Sequence, residues 1–338
     1  MLKRKIACAL LAALLCMQTQ LLHAQTQPLE AEMPFETDAV SVILMDANTG
    51  TVILEKNADE QRPVASITKL MTILLTIEAI EKGEISLTQE VTVSETAAGT
   101  GGSQALLDAG GVYTVNELLE SLIVASANDS AVALAELLCG SEDAFAQAMN
   151  DRAKQLSLFA THYVNASGLP AEGQYTSARD VAALSLEVLR HPLYFEYSTI
   201  WMDQIRHRGG RITELVNTNR LIRFYEGADG VKTGSTNEAG FCISATAKRG
   251  EDRFLAVVLG SSTGKARFAI AQRLLSYAFD RYTAETLIKK GMTALIITSG
   301  SGSLGDLSLK AGDSVLIPDA AGDIILKGNL ECVTVTLP

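Results

Sequence analysis

Apolar positions recur with two different periods along this chain, and the changes of period mark its elements. Val40–Met45 and Thr51–Leu54 are short apolar runs separated by the polar stretch Asp46–Gly50, which predicts a β-hairpin. In PVASITKLMTILLTIEAIEKG (63–83), residues Ile67, Leu70, Met71, Leu74, Leu75 and Ile77 fall at helical spacing, and Gly83 supplies a stop. Most of that helix's surface is apolar, so it should lie buried in the middle of its domain. Residues 97–111, AAGTGGSQALLDAGG, form a Gly-rich connection. TVNE at 114–117 is a capping box that opens a helix, and this helix breaks at SANDS (126–130). A further helix runs through AVALAELL to Gly140, another covers Ser141–Leu156, and NASGLP (165–170) reads as a loop. TSARDVAALSLEVLR (176–190) starts with capping residues and returns to helix.

After Arg206 the period shortens. HRGG (207–210) reads as a hairpin turn, and GADGVKTGST (227–236) leads into a strand. Ala239–Lys248 and Arg253–Gly260 form an antiparallel pair joined by the turn RGED, and Lys265–Asp280 is a closing amphipathic helix. Strands, then many helices, then strands and a helix make an α+β fold class, with one antiparallel sheet against a helical region. From about Thr283 the chain carries short β-like runs (ALIITS, SVLIP, DIILKG, CVTVTLP), which predict a small β-rich second domain.

Composition narrows the class. With 338 residues, 47% hydrophobic and 20% charged, the chain can bury the core of one large domain plus a small one. Lys3, Arg4 and Lys5 precede an apolar run from Ile6 to Leu15 that is too short to span a bilayer, and polar MQTQLLHAQTQ follows. This is the layout of a secretory signal peptide cleaved after Ala24; an uncleaved anchor or a buried helix is the alternative. Its removal takes away three positive charges and no acids, so the net charge moves from −11 to −14. An acidic exported chain without a basic patch argues against nucleic-acid binding. Cys8 and Cys16 lie in the leader, while Cys139, Cys242 and Cys332 are far apart and odd in number. Neither they nor the scattered His23, His162, His191 and His207 make a disulfide framework or a metal pattern.

The candidate chemistry begins at Ser66 and Lys69. On a helix, residues three apart are neighbours, so the serine hydroxyl can meet the lysine amine. A serine needs a base to become a nucleophile, and a lysine serves only if burial or nearby positive charge lowers its pKa. Taken alone the pair is equally an N-cap serine beside an exposed lysine, and Ser262–Lys265 makes the same S-x-x-K match. Two further elements stand downstream of Ser66 alone. Ser126–Ala127–Asn128 occupies the break between two helices, which is also a place for ordinary turn residues. Lys232–Thr233–Gly234 opens a strand, where an edge lysine beside a turn glycine is the alternative. S-x-x-K, S-x-N and K-T-G in this order form the signature shared by penicillin-binding proteins and class A β-lactamases.

With those motifs the sequence resembles the low-molecular-mass penicillin-binding proteins of the serine-type D-alanyl-D-alanine carboxypeptidase family. GSQALLDAG, NASGLP, YTSARDVA, NTNRLIRFYEGADGVKTGST and AGFCISATA are similar to that family's segments and keep its order. The resemblance covers roughly residues 35–283. It implies a signal peptide at 1–24, a D,D-peptidase domain of penicillin-binding-protein/β-lactamase-like fold at 25–283 and a small β-rich domain at 284–338. It also implies catalytic roles for Ser66, Lys69 and Ser126. Asn128, Lys232, Thr233, Gly234 and Ser235 would bind the substrate, a peptidoglycan stem peptide ending in D-Ala-D-Ala. β-Lactam antibiotics would be covalent inhibitors, with no metal or organic cofactor and no nucleic acid as partner. The implied location is extracytoplasmic, in the cell envelope or secreted.

Two departures stand out. Some members carry an arginine where Thr218 stands in Asn217–Thr218–Asn219, so recognition of the substrate carboxylate should fall to Thr233, Ser235 or Lys232. The family's second domain is usually longer and often followed by an amphipathic membrane anchor; neither is visible before Pro338. A β-lactamase or D,D-endopeptidase on the same scaffold, or an inactive cell-wall-binding homologue, is the alternative function. A class A β-lactamase would need a glutamate-bearing loop between Asn128 and Lys232, and no stretch there resembles one.

Overall fold

A computed structural model describes residues 33–282, 293–304, 307–310, 314–317 and 326–336. The leader expected at 1–24 lies outside these residues. The chain divides into two compact units, Met1–Tyr282 and Thr283–Pro338.

The first unit is built on a five-stranded antiparallel sheet. Its strands are β1 (Ser41–Asp46), β2 (Val52–Lys56), β7 (Ala228–Thr236), β8 (Gly240–Arg249) and β9 (Asp252–Ser261), in the order β2-β1-β9-β8-β7. Side chains alternate across a strand, and β9 shows what that alternation does here. Leu255, Val257 and Leu259 enter the core on one face, while Phe254, Ala256 and Val258 enter a second core on the other. Ile43 and Met45 of β1 go to the first core, Val42 and Leu44 to the second. Burial on both faces explains why these strands read as continuous apolar runs rather than as alternating ones.

The larger core is helical. It receives α1 (Lys69–Glu81), α3 (Val115–Val124), α4 (Asn128–Cys139), α5 (Glu142–Gln155) and α6 (Ala178–Val188). In α1, Leu70, Met71, Ile73, Leu74 and Ile77 are fully buried, as the helix's broad apolar surface requires. The capping box holds: Thr114 Oγ1 accepts from the Glu117 amide, and the Glu117 carboxylate accepts from the Thr114 amide. Ser141 and Ser177 cap α5 and α6 by accepting from Ala144 and Asp180 amides. The second core is closed by α9 (Gly264–Arg281) through Ile270, Ala271, Leu274, Leu275 and Ala278.

Several local features go beyond the sequence reading. A short α2 (Glu95–Ala98) and a two-stranded ribbon, β3 (Glu90–Thr92) with β4 (Val112–Thr114), frame the Gly-rich connection. Helix α7 (Pro192–Ser198) fills a stretch to which no element was assigned, and Pro192 at its first turn is pre-set for a helix start. HRGG does join a hairpin, β5 (Met202–Arg206) with β6 (Ile212–Val216). A one-turn α8 (Leu221–Phe224) leads toward β7. Among the described residues, no helix is long and apolar enough to cross a membrane.

The second unit pairs β10 (Thr293–Leu304) antiparallel with β11 (Leu307–Lys310), β12 (Ser314–Ile317) and β13 (Leu326–Thr336).

Candidate active site

Strand β7 is the edge of the main sheet, and the site lies against it. Its first carbonyls are occupied by side chains. Ser198 donates to the Asp229 carbonyl at 2.6 Å, Asn219 Nδ2 to that of Gly230 at 2.8 Å, and Tyr194 to that of Val231 at 2.7 Å. Asn217 in turn orients Asn219 by accepting from its amide. These contacts fix the strand immediately before Lys232.

Ser66 does not open the α-helix. It sits in a single 3-10 turn, Ala65–Thr68, and α1 begins at Lys69. The tighter turn still brings the lysine amine to the serine: Lys69 Nζ lies 2.9 Å from Ser66 Oγ. The same amine donates to the Ser167 carbonyl in the NASGLP loop. Gly168 makes that approach possible, since a Cβ there would stand 2.0 Å from the Ala65 carbonyl oxygen. Ser126 begins the second half of the site, where α3 ends and α4 has yet to start. Lys232 Nζ donates to Ser126 Oγ at 2.7 Å and to the Thr233 carbonyl at 3.1 Å. Ala65 and Ser126 both hold left-handed backbone, with φ of 52° and 62°. Such a conformation costs a non-glycine residue on the order of 1–3 kcal/mol and is retained where surrounding packing over-determines it.

Gly234 shows how closely β7 meets the 3-10 turn. An added Cβ would stand 2.6 Å from the Val64 carbonyl oxygen and 2.9 Å from the Ser66 amide nitrogen. A glycine is therefore required for close backbone approach, not for a turn. We expect Gly234→Ala to push the strand away from the Ser66 amide while the sheet stays folded. Covalent labelling by a fluorescent penicillin should slow by about 100-fold or more, the scale of losing one oxyanion donor. An unaltered labelling rate would remove the close approach from the mechanism.

The electrostatics follow from burial. Lys69 and Lys232 are 0% and 1% exposed. Desolvation drives the Lys69 ammonium well below its usual range, the positive charge of Lys232 pushes it the same way, and buried Asp129 opposes both. Burial, with Arg267 nearby, lowers Lys232 to about 7. Burial thus disfavours the charged form of both lysines, and the charge of Lys232 disfavours that of Lys69 further. A neutral Lys69 amine beside the serine is the form able to accept a proton.

The remaining residues named from the sequence are placed as follows. Asn128 is buried; its Nδ2 donates to the Gly101 carbonyl at 2.6 Å, and its Oδ1 is buried without a partner. Thr233 donates to Thr218 Oγ1 at 2.8 Å, so the residue standing in place of arginine contacts the K-T-G threonine directly. Ser235 is exposed at the strand's outer end. Ser262 is not part of this constellation. Its hydroxyl and amide both donate to Asp38, and Lys265 is exposed.

Two functional residues escaped the sequence reading. Asp129 accepts from the amides of Ala105, Leu107 and Ser130, each at 3.0 Å, and so ties the Gly-rich connection to the base of the site. Its position inside SANDS, next to Asn128, was the available signal. Arg267 donates to the Gly234 and Cys242 carbonyls at 2.8 and 3.1 Å. It comes two residues after the dismissed SSTGK, and nothing local distinguishes it from a surface arginine.

The chain matches known proteins in sequence and in fold. A family model described as D-alanyl-D-alanine carboxypeptidase matches residues 25–263. The D-alanyl-D-alanine carboxypeptidase DacF of Bacillus subtilis is 41% identical over 286 residues, 85% of this chain and 74% of that protein. Among solved structures, the D-alanyl-D-alanine carboxypeptidase DacD from Francisella tularensis superposes with a TM-score of 0.73 at 28% identity. That match covers 92% of this chain and 84% of the other. Penicillin-binding protein D2 from Listeria monocytogenes, in its ampicillin-bound form, gives a TM-score of 0.63 at 30% identity over 73% of this chain and 100% of the other.

Proposed function

The chain belongs to the D-alanyl-D-alanine carboxypeptidase family of serine peptidases, and from that premise we propose how its residues divide the reaction. The substrate is a peptidoglycan stem peptide ending in D-Ala-D-Ala, and β-lactams compete for the same serine. One observation carries the assignment. Two buried lysine amines each meet a serine hydroxyl, Lys69 at Ser66 and Lys232 at Ser126, beside the strand that Gly234 brings against the Ser66 amide.

Neutral Lys69 takes the Ser66 proton as Oγ attacks the carbonyl between the two D-alanines. The amides of Ser66 and Ser235 hold the developing oxyanion; such preorganised donors act where charge forms in the transition state. Ser126, held by Lys232, relays the proton that Lys69 took from Ser66 to the leaving amine, and the C–N bond breaks to release D-alanine, leaving Lys69 and Ser126 as they began. Water then attacks the acyl-serine, delivering its hydroxyl to the peptide and returning the proton to Ser66. Asn128 holds the substrate amide through the buried carbonyl oxygen that lacks a partner in the free site. Thr233 binds the substrate through its hydroxyl, while Lys232, with Arg267 behind it, supplies positive potential for the terminal carboxylate.

Among the described residues, no carboxylate hydrogen-bonds to Ser66 or Lys69. That favours a slowly hydrolysed penicillin adduct over rapid β-lactamase turnover. Action outside the cytoplasmic membrane is the setting of this family, with export through the leader at 1–24 as the route. Incubation of the purified protein with a D-Ala-D-Ala-ended tripeptide should release D-alanine, measurable by a coupled oxidase. A protein that forms the penicillin adduct yet releases none would overturn the carboxypeptidase reading.

A further inference from the structure

The β5–β6 hairpin is bonded to two parts of the site. Its exit, Asn217–Thr218–Asn219, holds β7: Asn219 donates to the Gly230 carbonyl, and Thr218 Oγ1 accepts from Thr233. Its turn reaches the Gly-rich connection through a buried histidine that the reaction above does not use. His207 is 5% exposed. Its Nδ1 lies 2.7 Å from the Tyr113 hydroxyl, and its Nε2 lies 2.8 Å from Thr213 Oγ1. The Tyr113 oxygen also accepts from the Asp108 amide at 3.1 Å. Beside it, Arg211 donates to Asp108 Oδ1 and to the Leu106 carbonyl, both at 2.6 Å.

The connection in turn holds Asn128. The Gly101 carbonyl accepts from Asn128 Nδ2 at 2.6 Å, and the Ser103 carbonyl accepts from the Asn128 amide at 2.7 Å. A Cβ at Gly102 would stand 2.6 Å from Asn128 Nδ2, so the backbone is pressed against that side chain. Asp129 fixes Ala105 and Leu107 between these contacts and Asp108. Bonds and backbone therefore run without a gap from Thr213, through His207 and Tyr113, to Asn128.

One protonation state completes the network. An unprotonated Nδ1 accepts the Tyr113 hydroxyl proton while Nε2–H donates to Thr213, and every polar group has a partner. An imidazolium turns a second N–H toward the Tyr113 oxygen and takes away the acceptor of the phenol hydrogen. A buried donor left in that way is costly. The titratable groups facing the ring are Tyr113 of β4, Arg211 of the hairpin turn, Asp108 of the connection, Glu117 of α3 and Asp129 of α4. Burial, helped by Arg211, holds the imidazole below its usual 6.5 against the pull of the three carboxylates.

We propose that His207 is a positioning residue and a pH-sensitive lock: neutral, it fastens the hairpin to the Gly-rich connection and keeps Asn128 in place for the substrate amide, and protonated, it releases them. The effect on the reaction rests on the role given to Asn128 above. The lock has two discrete states set by one proton, which is what coupling between separated groups requires.

The test uses the full chain and follows kcat/KM for a D-Ala-D-Ala-ended tripeptide from about pH 8 to about pH 5. At the alkaline end His207→Ala is expected to lose at least fivefold against wild type. At the acid end, where the wild-type lock is itself open, it should lose no more than about twofold. Lys69 titrates in both proteins, so its limb cancels from the ratio. Tyr113→Phe should show the same pH-dependent ratio, and it carries the comparison if His207→Ala does not fold. His207→Asn offers Oδ1 to the Tyr113 hydroxyl without titrating. It should match wild type within about twofold at the alkaline end and exceed it at the acid end. Heteronuclear NMR of histidine-labelled wild type reads the ring directly. The signals missing from His207→Asn should show the Nε2–H tautomer and a midpoint below 6.5. A loss that stays constant with pH marks a merely structural role and overturns the lock, as does the Nδ1–H tautomer. A wild type inert toward both peptide and penicillin overturns the catalytic assignment instead, and the ring's tautomer and midpoint then decide the lock by themselves.

Discussion

Ser66→Ala is expected to lose the covalent penicillin adduct and, with it, D-alanine release by at least about 10⁴-fold. Removing the nucleophile of a serine hydrolase removes the step that every later group assists, which is why single losses of this kind approach the loss of the whole constellation. The fold should survive, because the 3-10 turn is held by its buried neighbours Ala65, Ile67 and Thr68 rather than by the serine hydroxyl. Ser262→Ala is the matched control. Its hydroxyl is committed to Asp38, so that variant should label at the wild-type rate. Labelling that survives in Ser66→Ala and vanishes in Ser262→Ala would reverse the assignment. Denaturing gel fluorescence after reaction with a fluorescent penicillin reads all three proteins.

The second large effect concerns the base. Lys69→Met keeps a side chain of similar length in the buried site and removes the proton acceptor. Acylation should fall by about 10²–10⁴-fold, the usual weight of a positioned general base. The wild-type acylation rate should climb with pH along a limb that belongs to the Lys69–Lys232 pair, as both ammonium groups are pressed downward by burial. Lys232→Met removes the positive charge that helps depress Lys69, so the limb should move to higher pH. Stopped-flow acylation across pH reads both variants; a limb unmoved by Lys232→Met would remove the second cation from the account.

Stability carries the same signature with a definite sign. Lys232 titrates near 7 in the folded protein and at its usual 10.5 when unfolded, so between these values the unfolded chain binds more protons. Folding stability therefore rises with pH across that window as far as this group is concerned, and the contribution levels off above and below it.

Much of the architecture follows from neighbours in the chain. Capping by Thr114, Ser141 and Ser177, the hairpin at Asp46–Gly50 and the burial of α1 are local consequences of side-chain chemistry and spacing. The order S-x-x-K, S-x-N, K-T-G named the family, because each motif keeps its own local geometry. The same locality limits what can be read. S-x-x-K occurs twice, and only packing separates them: Ser66 faces a fully buried amine, while Ser262 is bonded to Asp38, 224 positions away. The contact of Lys232 with Ser126 spans 106 positions, and that of Arg267 with Gly234 spans 33. A pKa depends on desolvation and on charges a few ångströms distant, and neither quantity is a property of a residue's neighbours in the chain. The sequence by itself therefore determined the elements, their caps and the set of reactive side chains. Tertiary packing alone decided which serine is paired with a buried amine, why Gly234 must lack a side chain, and that a cationic, aromatic groove continues past Thr218.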